Sequence, residues 1–270
     1  MSGAKLHPMA TKRFMDLKLE DKVALVTGSN RGTGEVIAST LAAEGATVIW
    51  HDNNGSTKSK LAHRVFGDIA TETGRQQVLE QVEALDLPVD ILVNNYGSAD
   101  RHKWADSSHD KWLQMYEVNL LSAARLIQGL LEPMKAGGWG RIINLGTIGS
   151  HQPNNVMPAY YAAKGALATM GVSLAKELTG TGITVNTISP GLIRTEEVEA
   201  AYRAKAAREG WGDDWDVIVK NIAETDFPNP CARIAEREEV ADLVAFIASP
   251  RAGYINGQNL RVDGGMVRYV

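Results

Sequence analysis

The chain has 270 residues, 44% of them apolar and 22% charged, the proportions of a globular protein with one large domain or two small ones. A net charge of −4 and a pI near 5.9 exclude the strongly basic surface that nucleic acid or an anionic membrane attracts. The single cysteine, Cys231, rules out an intrachain disulfide and suits a reducing cytoplasm.

Residues 1–20 mix Lys5, Lys12, Arg13 and Lys18 with few apolar residues. They lack the apolar core of a signal peptide, and residues 1–18 read as a loose extension ahead of a domain over 19–270. Val23–Thr27 is a short apolar strand, followed by a glycine-rich turn and a helical stretch ending at Gly45. Further strands are expected at Thr47–Trp50, Arg64–Phe66, Val89–Val93, Arg141–Leu145, Ile183–Ile188 and Asn259–Val262. Helical patterns fill Thr73–Leu85, Asp110–Lys135, Ala159–Leu178 and Glu236–Ala248. No run of about 18 apolar residues is present to span a membrane. Short apolar strands alternating with helices indicate a mostly parallel seven-stranded sheet covered on both faces, an α/β doubly wound domain. The connection from Asn53 to His63 is near the minimum for a parallel crossover, so its helix should be short or missing.

The first turn reads Thr27-Gly-Ser-Asn-Arg-Gly-Thr-Gly34. Glycines at 28, 32 and 34 suit a tight turn and close backbone approach to a pyrophosphate, with the following helix offering free N–H groups and a positive dipole end. Asn30, Arg31 and Thr33 lie within the same turn. Asp52 falls 18 positions after Gly34, where the dinucleotide fingerprint expects an acid on the ribose 2′-hydroxyl. A carboxylate there repels a 2′-phosphate, which favours NAD over NADP. Arg31, and His51 if charged, are the opposing evidence.

Tyr160 and Lys164 stand four apart at the start of a helical stretch and so share a helix face. A neighbouring ammonium stabilises a phenolate, which draws a tyrosine with an ordinary pKa of about 10 toward neutrality and makes it a general acid/base. Tyr161, about 100° further round, is expected to pack or face an interface.

Together these pieces resemble the short-chain dehydrogenase/reductase family from about Lys18 to Val270. Asp68, with Ile69 beside it, resembles the family's adenine contact. Asn94-Asn-Tyr-Gly97 resembles the Asn-Asn-Ala-Gly that ends its fourth strand, with Asn95, Tyr96 and Gly97 toward the cofactor. Asn119 resembles the catalytic asparagine, and Pro190-Gly-Leu-Ile-Arg-Thr195 the nicotinamide-side loop, bringing in Pro190, Gly191, Ile193 and Thr195. Gly257-Gln258 and Val262-Asp-Gly-Gly265 resemble the C-terminal signature. Two positions depart from the pattern. Thr147 stands 13 residues before Tyr160 where the family has serine, keeping the hydroxyl but adding a methyl group. Tyr96 replaces a methyl side chain beside the expected groove, where it either fills space or reshapes the adenosine pocket.

The resemblance implies hydride transfer between NAD(H) and a small secondary alcohol or ketone. Tyr160 exchanges the proton and Lys164 lowers its pKa and holds the nicotinamide ribose. Thr147 orients the substrate oxygen, and Asn119 anchors a relaying water. It also implies a homotetramer or dimer packed through the two long helices. No metal ligand set is apparent. His151 and Met157 on one loop, and Trp211 and Trp215 in the segment 196–230, are candidate substrate contacts. The tryptophans would lie one turn apart if that stretch is helical, or else dock the segment on the core. An NADPH-dependent 3-oxoacyl reductase and a non-catalytic dinucleotide-binding regulator are the competing readings. The sparse basic residues of Asp110–Lys135 weigh against an acidic carrier-protein partner.

Overall fold

A computed structural model describes residues 15–55 and 62–269. Seven parallel strands form one sheet in the order β3-β2-β1-β4-β5-β6-β7. They are β1 (Val23–Val26), β2 (Thr47–Asp52), β3 (His63–Phe66), β4 (Ile91–Asn94), β5 (Gly140–Leu145), β6 (Ile183–Pro190) and β7 (Asn259–Val262). Every residue of β1, β4, β5 and β6 is buried, which explains the continuous apolar runs of β1 and of Ile91–Val93 in β4; β5 and β6 bury polar residues as well, among them Arg141, Asn144 and Asn186.

The helices lie on both faces. On one, α1 (Gly32–Ala43) and α8 (Arg237–Ala248) pack Ile37, Leu41, Val240 and Val244 against Val26, Val93 and Ile143. On the other, α2 (Glu72–Ala84), α4 (Ser122–Ala136) and α5 (Pro158–Glu177) bring Val78, Leu126, Leu130 and Ala175 onto Leu25, Leu92 and Val185. The caps follow local chemistry. Thr71 accepts from the Gly74 N–H at 3.0 Å to start α2, and Glu236 with Glu239 forms a capping box at α8.

The expected single helix over Asp110–Lys135 is two. α3 (His109–Tyr116) and α4 are joined through a π turn at Glu117–Leu121. A π turn inserts one residue per turn and is seldom tolerated without a functional return; here it carries Asn119. The 196–230 segment folds as α6 (Glu196–Glu209) and α7 (Trp215–Asn221) over a small separate cluster containing Ala206, Ile218, Ile222 and Ile234. Residues 1–14, and with them most of the expected N-terminal extension, lie outside the described residues. So do residues 56–61, on which the expectation of a short β2–β3 crossover largely falls. Among the described residues no helix is long and apolar enough to cross a membrane.

Strand order reverses between β1 and β4. In an open parallel sheet the crevice at such a switch point, outside the carboxyl ends of the strands, is where ligands bind.

Candidate active site

Two adjoining cavities open along that carboxyl edge. The first, about 510 Å³, follows the glycine turn and is walled by Gly28, Asn30, Arg31, Gly32, Thr33 and Gly34, then by Asn95, Tyr96, Gly97 and Thr195. Its geometry suits a pyrophosphate. Gly28 and Gly32 have φ of +62° and +59°, conformations that only glycine adopts freely. A Cβ at Gly34 would lie 2.3 Å from the Gly28 carbonyl oxygen. No side chain caps the start of α1, so its first N–H groups are left for a ligand. Asn95 ties the switch point together, donating from Nδ2 to the carbonyls of Thr27 (2.9 Å) and Gly28 (3.2 Å).

Asp52 does not take the place assigned to it. It ends β2, but its carboxylate is buried, accepts N–H bonds from Asn54 (2.9 Å) and Gly55, and pairs with Arg64 at 3.0 Å. Asn53 and Asn54 line the groove instead. An acid followed by two short polar residues is a loop-capping pattern, the one sequence signal that pointed here. His51 is likewise withdrawn from any charged role. Its Nδ1 accepts from the Gly28 N–H, its Nε2 faces the Gly67 carbonyl, both at 3.0 Å, and burial lowers its pKa and keeps it neutral.

Tyr96 spans the adenosine end of the groove. Its hydroxyl donates to Asp68 Oδ1 and accepts from Asn53 Nδ2, each at 3.1 Å. The phenol thus both fills space and shapes this pocket. Asp68 lies behind Tyr96 rather than on the groove wall, and Ile69 is in the core. Pro190 is buried at the end of β6, and Ile193 pairs with Ala235 in an isolated bridge.

The second cavity, about 530 Å³, reaches Tyr160 and Thr147. Thr147 follows β5 and opens a short turn, its Oγ1 accepting from the Gly149 N–H at 3.2 Å. Tyr160 sits in the first turn of α5, which Pro158 starts and which the left-handed Met157 (φ +64°) precedes. Lys164, one turn on, is buried and donates to the Leu145 carbonyl at 2.7 Å. Gly97 closes the group: a Cβ there would lie 2.7 Å from Asn119 Oδ1 and 3.2 Å from Lys164 Nζ. The fold therefore gathers Asn119 from the π turn, Thr147 from the turn after β5, and Tyr160 and Lys164 from α5, three separate elements. The Asn119 amide is fully engaged, with Nδ2 donating to the carbonyls of Ser98 (2.9 Å) and Met115 (3.0 Å) and Oδ1 accepting from the Ser98 N–H (3.2 Å). Its side chain holds the π turn against the loop after β4.

The electrostatics run opposite to the expectation of a lowered phenol. Burial, with Tyr161 beside it, pushes Tyr160 up to about 12, only partly opposed by a hydrogen bond to Thr147. Burial also pulls Lys164 down to about 8. The Tyr160 phenol is thus protonated across the neutral range.

Further walls of this cavity come from Arg101, Gln152, Asn154, Met157 and Gly191, and from Tyr202, Asp226 and Phe227 of the α6–α7 segment. Tyr161 packs as expected, buried with its ring 5.7 Å from that of Tyr160, and it also lines this cavity. Of the proposed substrate contacts only Met157 is on the wall. His151 lies behind, its carbonyl accepting from the Tyr269 hydroxyl. Trp211 and Trp215 do not share a helix. Trp211 is in the turn after α6 and Trp215 opens α7, with Arg194 and Arg203 each 5.1 Å from its ring. They dock the segment, and Tyr202 and Phe227 reach the cleft in their place. No periodicity distinguishes the docking aromatics from the lining ones.

A family model described as enoyl-(acyl carrier protein) reductase matches residues 28–267. The chain is 34% identical over 262 residues to the 3-oxoacyl-[acyl-carrier-protein] reductase of Escherichia coli, covering 93% of this chain and 99% of that one. Its fold matches L-sorbose reductase from Gluconobacter frateurii, solved with NADPH and L-sorbose, with a TM-score of 0.87 at 33% identity, covering 95% of this chain and all of that one. It also matches a gluconate 5-dehydrogenase from Burkholderia cenocepacia, solved with NADP and tartrate, at TM-score 0.81 and 28% identity over 94% and 98% of the two chains. The chain belongs to the short-chain dehydrogenase/reductase family. It is an NAD(P)-dependent oxidoreductase acting on CH–OH and keto groups.

Proposed function

We propose that the chain is an NADPH-dependent reductase of a small polyhydroxylated ketone. The observation that carries this is the cleft over Tyr160 and Thr147, whose walls alternate hydrogen-bonding groups (Gln152, Asn154, Tyr202) with apolar ones (Ile148, Leu192, Phe227). A hydroxylated chain needs both kinds of wall. The bound nicotinamide supplies the hydride. Tyr160 gives its proton to the carbonyl oxygen as the C=O electron pair moves onto it, leaving a secondary alcohol. Thr147 holds that oxygen by a second hydrogen bond. A phenol near 12 holds its proton at neutral pH, so it meets a carbonyl oxygen as the acid form. Lys164 keeps positive charge beside the proton donor, and Asn119 fixes the backbone around them.

NADPH is preferred over NADH in this reading because the one acid expected to repel a 2′-phosphate, Asp52, is buried against Arg64. Arg31 stands exposed on the groove wall, paired at 3.6 Å with the equally exposed Glu197, a contact that a 2′-phosphate would displace. Parallel titrations with NADPH and NADH test it. Arg31→Ala should weaken NADPH about tenfold and leave NADH unchanged; tighter NADH binding by the unaltered protein would return the preference to NAD. Tyr160→Phe should lose about 10²- to 10⁴-fold in turnover while cofactor still binds, and near-normal turnover would sink the catalytic assignment. A second reading, a 3-oxoacyl thioester reductase, draws on the Escherichia coli relative. Turnover of an acetoacetyl thioester but of no ketose would select it.

A further inference from the structure

We propose that Arg101 binds an anionic group of the substrate, so that the ketone reduced is a hydroxylated oxo acid rather than a neutral sugar. This rests on the ketone-reductase reading above.

Two fully charged side chains line the cleft, Arg101 and Asp226. Asp226 is already neutralised: Lys205 Nζ donates to both its oxygens, at 2.7 and 2.6 Å, and the Tyr202 hydroxyl bonds to it as well. Arg101 has no carboxylate partner among the described residues. Its neighbour Asp100 is committed elsewhere, accepting from Lys111 Nζ at 2.9 Å and lying 3.5 Å from His102 Nδ1. The cleft therefore presents one uncompensated positive charge.

The loop that carries it is pinned on both sides. Asp100 is held by Lys111, and His102 is buried with its carbonyl accepting the Met157 N–H at 3.0 Å. Met157 is the residue that leads into α5, so the backbone at Arg101 is tied to the helix that carries Tyr160, the proton donor. Its charge acts on the phenols of Tyr161 and Tyr202 from within the cleft, against the burial that raises both. A planar guanidinium carried on an anchored loop matches a carboxylate in bidentate fashion. A volume of about 530 Å³ accommodates a six-carbon acid with its ketone at Tyr160.

The test compares 5-keto-D-gluconate with D-fructose, a neutral ketose of the same carbon number, as substrates with NADPH. The unaltered enzyme should favour the oxo acid. Arg101→Gln should raise KM for the oxo acid about 10- to 100-fold, with kcat and the constants for D-fructose little changed, and Arg101→Lys should recover part of the loss. Preference for the neutral ketose, or an equal loss on both substrates in Arg101→Gln, would overturn the proposal. D-gluconate binding, followed by calorimetry, separates this failure from that of the function reading. If neither ketone is reduced, gluconate binding that disappears in Arg101→Gln still upholds the anion site, whereas no binding, or binding the substitution leaves intact, refutes it.

Discussion

Lys164 makes a measurable demand on stability. Its ammonium is buried with one carbonyl partner, Leu145, and burial brings its pKa from the ordinary 10.5 to about 8. The unfolded chain keeps this proton up to about 10.5, the folded chain only to about 8. Between those values the unfolded state binds more protons, so stability rises with pH across that window. At about 1.4 kcal/mol per pH unit, the full difference is worth about 3 kcal/mol, of which about 2–3 kcal/mol falls between pH 7 and pH 10. Lys164→Met removes the titrating group at similar volume. Urea unfolding of both proteins across this range should show the unaltered chain gaining about 2–3 kcal/mol on the variant as pH rises. Other lysines and tyrosines titrate in both proteins and cancel in the comparison. Parallel stability curves would refute the reasoning, because they would mean that the buried ammonium is solvated as well as in the unfolded chain.

The same ionisation should appear in catalysis. Reduction should hold level below, and fall above, an apparent pKa of about 8, read from kcat/KM against pH, and Lys164→Arg should move that limb upward. Gly34→Ala should abolish dinucleotide binding, because the new Cβ meets backbone at 2.3 Å. Gly32→Ala, with open space but φ +59°, should cost only about 1–2 kcal/mol in chemical denaturation. Asp52→Ala should lower stability by about 2–3 kcal/mol by leaving Arg64 without its carboxylate, yet leave the NADPH-to-NADH affinity ratio within about threefold; a large swing toward NADPH would show that Asp52 reads the ribose after all. Tyr96→Phe removes both hydrogen bonds of the phenol and should raise the cofactor KM about fivefold at unchanged kcat.

Much of this protein was legible in one dimension. Continuous apolar strands specify a parallel sheet because both faces must be covered, and that condition is written into Val23–Val26 of β1 and Ile91–Val93 of β4. The glycine turn is equally local: its backbone angles and close approach are properties of residues 28–34 themselves. The i, i+4 spacing of Tyr160 and Lys164 sets them on one helix face before any packing is known. What only the tertiary structure decided concerns direction and environment. Asp52 sits at the expected place in sequence, yet Arg64, twelve positions on, draws its carboxylate away from the groove, a pairing set by the β2–β3 register. The phenol of Tyr160 rises rather than falls because burial, a property of the assembled core, outweighs the hydrogen bond to Thr147. Trp211 and Trp215 carry the same kind of side chain as Tyr202 and Phe227; which pair docks the segment and which faces the cleft depends on how α6 and α7 cross the sheet edge. Spacing determines what can share a face, but a side chain's partners and its solvation come from chain segments distant in sequence, and these govern its charge and its use.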